Sequence, residues 1–129
     1  MKLMIAAMTM MATSAFAQTP ACDGNITMVR VSAIKAGGTM KNFVAAVDAQ
    51  RAWYRANGVT DNQLFVARVI PRGETDYSET DVLSYHVNPP SPDRIPNRGD
   101  AAWKAFVKLF QDNSEIKSEF ITCMPKPSK

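Results

Sequence analysis

Arg30, Arg68, Ser84 and His86 stand in three separate stretches of alternating residues, where positions two apart share a side. If those stretches are neighbouring strands, all four side chains project to one face. Two guanidiniums there can hold a carboxylate or another small anion through paired N–H donors, and a hydroxyl and an imidazole can orient it. His86, the only histidine, is the one candidate for acid–base catalysis. The plainer alternative is that each arginine pairs with an acid or reaches to solvent, and that His86 is a hydrogen-bonded strand residue. No cysteine nucleophile or obvious orienting carboxylate accompanies His86. The sequence has no metal-ligand cluster, nucleophile elbow or dinucleotide fingerprint, so neither a metal nor a cofactor is predicted.

The strands come from period-two patterning over residues 26–35, 63–70 and 82–87, with a short last strand over 121–124. Met40, Phe43, Val44, Val47 and Tyr54 recur at three- and four-residue spacing, which predicts an amphipathic helix over 39–58. Thr39 can cap its start and Asn57-Gly58 can end it. Trp53 lies off that apolar stripe, on an alanine-rich side that can meet the second helix or a partner chain. Arg51 falls within the stripe. Asp100 is a good N-cap for a second helix carrying Trp103, Phe106, Val107 and Phe110. That helix is expected to be interrupted at Asn113-Ser114, with 115–120 as a further turn or two. Between the third strand and this helix runs a proline-dense loop, 88–99, too rigid for helix or central strand and long for a connection.

The order is strand, helix, strand, strand, helix, strand. One four-stranded antiparallel sheet with both helices on one face satisfies it, the ferredoxin-like α+β arrangement. The apolar sets Val29, Val31, Phe65, Val69, Leu83, Tyr85 and Val87 are expected to face the helices. The opposite face then mixes Met28, Val66 and Ile70 with Arg30, Ser32, Arg68, Ser84 and His86. Too apolar for plain solvent surface and too polar for plain core, that face either packs against a second copy or lines a ligand cavity.

The first seventeen residues read as an export signal: Lys2, a mainly apolar run, and Ala15-Phe16-Ala17 before the cleavage point. Cleavage leaves about 110 residues, enough for one domain. The expected organisation is signal 1–17, leader 18–25, domain 26–125 and flexible tail 126–129. The flanks suggest a bacterial periplasm or the extracellular space. Cys22 and Cys123 are the only cysteines, and in an oxidising compartment they are expected to form a disulfide. The proposed topology brings the start of the first strand beside the end of the last, which suits that bond. A net charge of +3 without any block of like charges argues against nucleic acid or anionic membrane as partners.

With this order of elements and the mixed face of Arg30, Arg68, Ser84 and His86, residues 26–125 resemble the dimeric α/β-barrel superfamily, which includes the antibiotic-biosynthesis-type monooxygenases. The resemblance implies two ferredoxin-like sheets pairing into a barrel with a small-molecule cavity. The export signal, the disulfide and the loop 88–99 depart from that pattern. Three readings of function follow. The first is an exported homodimer that binds a small anionic or aromatic molecule. The second is a cofactor-independent monooxygenase- or isomerase-like enzyme using the same cavity. The third is a structural or protein-interaction module.

Overall fold

The computed structural model describes residues 21–125; the predicted signal segment and the tail lie outside them. The elements are β1 (Asn25–Ile34), α1 (Met40–Ala56), β2 (Gln63–Arg68), β3 (Asp81–Val87), α2 (Ala101–Asn113) and β4 (Ser114–Met124). They form one sheet in the order β2-β3-β1-β4 with every neighbouring pair antiparallel. The expected ferredoxin-like α+β topology is therefore the one observed, with both helices over one face of the sheet.

Both helix starts are set by their caps. Thr39 Oγ1 accepts from the Asn42 N–H at 3.1 Å. Asp100 Oδ1 accepts from the Trp103 N–H at 2.7 Å and, at 3.0 Å, from the Trp53 indole N–H of α1. One carboxylate thus starts α2 and ties it to α1. Around that tie the aromatic side chains meet edge to face: Trp53 with Trp103 at 4.7 Å, Trp103 with Phe106 at 4.9 Å, and Phe43 with Phe110 at 5.4 Å between centroids. Such pairs contribute about 0.5–1.5 kcal/mol each beyond their burial. The alanine-rich side of α1 carrying Trp53 therefore meets the second helix. Arg51, within the predicted stripe, reaches the β2 edge and donates to the Leu64 carbonyl at 2.7 Å.

The second helix ends earlier than the sequence suggests. Residues 115–120 are strand, not helix, and α2 runs into β4 without a loop. Pairing with β1 from Ile34↔Ser114 onward decides their conformation. The junction is clamped: Asn113 is buried, accepts from the Thr39 N–H through its side chain, and accepts from the Lys35 N–H through its carbonyl. Gly38 lies against that carbonyl so closely that a side chain there would collide with the Asn113 backbone. Further along, the β1–β4 register shifts between Val31 and Ser32, so that Ser32 pairs with Ile116 rather than Lys117. This bulge turns Ile116 toward the helices.

The faces are the reverse of those expected. Leu64, Val82 and His86 point at the helices and join Phe43, Val47, Tyr54 and Phe106 in burial, and Met28, Arg30, Ser32 and Ser84 lie on the same side. The more apolar set forms the outer face, where Phe65, Tyr85, Val29 and Phe120 make one row across all four strands. Phe65 and Phe120 are about half exposed, while Val29 between its larger neighbours is buried. Alternation specifies which residues share a face, but not which face the crossovers cover.

Cys22 and Cys123 are bonded, 5.6 Å apart between Cα atoms across 101 residues of chain. Closing a loop of that length stabilises by about 2–5 kcal/mol. Gly24 allows the approach, since a side chain there would strike the Met124 backbone. Among the described residues no helix is long and apolar enough to cross a membrane.

Candidate functional site

The helices pack mainly on each other, and α1 also on β2; α2 meets the sheet chiefly where it leads into β4. The sheet surface over β1 is left uncovered by that arrangement, and a cavity of about 470 Å³ occupies the space. Its floor is the sheet: Met28, Arg30, Ser32, Ser84, His86 and Ile116. Its roof is the helices: Phe43, Val47, Gln50, Trp103, Phe106 and Phe110. Apolar surface with a few convergent polar groups is the usual composition of a small-molecule site.

Three of the four residues singled out from sequence, Arg30, Ser84 and His86, line this cavity. They sit on its floor beneath the helices and not on an open face. Arg30 and Ser84 are direct cross-strand partners, with His86 one step along β3 on the same side. Arg68 is elsewhere. It donates to the Ser78 carbonyl at 3.2 Å and lies over the Tyr77 ring at 5.0 Å, so it braces the β2–β3 connection.

Arg30 is half-buried, and its Nε–H donates to the Glu119 carboxylate across the β1–β4 ladder. The Nη groups make no hydrogen bond to any described residue. The guanidinium keeps donors for a ligand while its charge is partly balanced.

His86 is buried, with Tyr54 tilted against it at 5.2 Å between ring centroids. Its Nε2 lies 3.0 Å from Asn62 Nδ2. Burial, followed by the positive charge of Arg30, pushes its pKa down to about 4. At neutral pH the ring is therefore uncharged. Burial also pushes the Tyr54 hydroxyl up, so it too is neutral.

Arg98, from the proline-dense loop, lies over the Trp103 ring at 5.2 Å and reaches the cavity from its rim. That loop carries a single 3₁₀ turn, Pro92–Arg94, and is pinned by Ile95 in the core. Arg94 grips Asp61 through both terminal nitrogens at 3.1–3.3 Å, and Asn97 donates to Asn57 at 2.7 Å. Hence the rim is held in place by the turn that follows α1.

Sequence reasoning missed the roof and the residues behind His86. Gln50 had a signal: it occupies the same stripe as Phe43, Val47 and Tyr54, and a polar residue inside an apolar stripe marks a polar interior. Trp103 was taken for core, and it is both core and wall. Asn62 and Arg55 carried no signal, because their role depends on where the turn folds. Among the described residues no group of three or more histidine, cysteine or acidic side chains is placed to hold a metal ion.

No protein-family model matches the chain, and no curated relative matches it in sequence. Among solved structures it is similar to SnoaB, a cofactor-independent oxygenase from Streptomyces nogalater. The TM-score is 0.52 and the identity 8%, over 81% of this chain and 96% of that one. It also matches a dimeric protein of unknown function and ferredoxin-like fold from Bacteroides fragilis NCTC 9343. There the TM-score is 0.45 and the identity 11%, over 79% of this chain and 96% of that one. At such identities the likeness to SnoaB is one of fold.

Proposed function

We propose that this is an exported protein that binds a small, flat, largely apolar molecule bearing an anionic or hydrogen-bond-accepting oxygen. The observation that carries the reading is the two-sided cavity, aromatic on its helix roof and polar on its sheet floor. Phe106 and Trp103 offer ring surface, and Arg30, Ser84 and His86 offer groups for the oxygen. The disulfide fits an oxidising compartment, and the predicted signal segment supplies the route. The apolar outer row of Phe65, Tyr85, Val29 and Phe120 favours a homodimer joined through that face.

Native mass spectrometry of protein purified from the exported fraction tests the reading, together with titration of 1-naphthoate followed by tryptophan fluorescence. A small molecule released on denaturation, or saturable naphthoate binding weakened about tenfold by Arg30→Ala, supports it. A bare polypeptide that also ignores naphthoate overturns it.

The fold shared with a cofactor-independent oxygenase favours a second reading, an enzyme acting on the same ligand class. There His86 is the acid–base candidate, and an undiminished turnover in His86→Ala would remove it from catalysis.

A further inference from the structure

Asn62 lies in the turn between α1 and β2 and is fully buried. Arg55 Nη1 is 2.6 Å from its Oδ1. A guanidinium has donors only, so the amide atom that faces it must be the oxygen. Chemistry thereby decides an amide orientation that atomic positions alone leave ambiguous. Arg55 is itself fixed, donating to the carbonyls of Val59 and Asn62 at 2.6 Å each.

The Asn62 nitrogen then faces His86 Nε2 at 3.0 Å. An amide NH₂ only donates, so Nε2 must present its lone pair, and in an uncharged ring the proton sits on Nδ1. Free histidine favours the other tautomer. His86 Nδ1 has no hydrogen-bond partner among the described residues, and it is not sealed off. The one fully enclosed side-chain polar atom without a partner among those residues is Thr27 Oγ1. Since the His86 side chain lines the cavity, Nδ1 opens there.

We propose that Arg55 and Asn62 are positioning residues that lock His86 as its Nδ1–H tautomer, a fixed neutral donor to a carbonyl, phenolate or carboxylate oxygen of the bound ligand. The ligand half rests on the binding reading above; the tautomer half stands on the hydrogen bonds alone. The depressed pKa agrees, because a protonated Nε2–H would meet the amide N–H head on. In this state Nε2 is occupied and cannot accept a substrate proton. What His86 offers is one N–H aimed at an oxygen, in a site where water competes little.

With a single histidine in the chain, protein labelled with ¹⁵N-histidine gives one imidazole pair that needs no assignment. At pH 7 a pyrrole-like Nδ1 and a pyridine-like Nε2 are expected in the ligand-free protein. An Nε2–H pattern or an averaged pair overturns the lock. Asn62→Asp offers acceptors only and should move the proton to Nε2; an unchanged pattern also overturns it. Added 1-naphthoate should shift the Nδ1–H resonance. Binding seen by fluorescence with Nδ1 unmoved overturns the donor role and leaves the binding reading intact. No binding at all overturns that reading and the ligand half, while the ligand-free spectrum still decides the tautomer.

Discussion

An uncharged His86 ties folding to pH. In the unfolded chain the ring titrates near the model value of 6.5, and in the fold at about 4. Between those values the unfolded chain holds a proton that the folded one does not, so stability falls as pH is lowered through that window and levels off below it. The loss is on the order of 3 kcal/mol at most. Urea unfolding at pH 7 and at pH 4.5 should show it, and His86→Gln should remove most of the difference; an equal difference in the variant would contradict this account. Asp61 and Asp93 do not confuse the measurement. Hydrogen bonds from Arg94 and Ser91 hold them below the ordinary carboxylate range, so their contributions are lost only at lower pH. At this scale the sequence showed that Arg30, Ser84 and His86 belong together, because alternation is local. It did not show that Arg68 leaves the group, because that depends on Tyr77 and Ser78 in a connection with no pattern of its own.

The helices depend on Asp100 more than a cap alone would suggest. Asp100→Ala removes the α2 N-cap, about 1 kcal/mol, and leaves the buried Trp53 N–H without its acceptor, roughly 1–3 kcal/mol more. Unfolding free energy should therefore drop by about 2–4 kcal/mol in denaturant titration, with Asp100→Asn keeping most of it. A change under about 0.5 kcal/mol would show that the carboxylate matters to neither helix. Both caps were readable because Thr39 and Asp100 act on residues three positions away. The start of β4 was not. Residues 115–120 have no helix-stopping signal ahead of them, and their partner, β1, lies some eighty residues earlier. The bulge at Lys117 is equally long-range in origin, since only the β1 register defines it.

For the molecule as a whole, the unexpected result is that its more polar sheet face points inward. Burial normally selects the apolar face, and Val29, Val31, Leu83, Tyr85 and Val87 outnumber the apolar residues opposite them. That rule fails where the interior is a cavity and the exterior is an apolar row, and neither condition is written in any single strand. If the outer row joins two copies, light scattering should give a dimer for the wild-type chain and a monomer for Phe65→Glu/Phe120→Glu. A wild-type monomer would leave that face without the proposed partner.

The bond between Cys22 and Cys123 has a separate consequence. It closes the chain into a covalent ring, and a ring has no privileged beginning. The sheet specifies which strands are neighbours, not which is translated first. A gene opened in the exposed connection at 71–80, with the present ends spliced by a short link, would encode the order β3-α2-β4-β1-α1-β2 and keep every strand pair. New ends on the β2–β3 side would free the cysteine end of the sheet from carrying both termini.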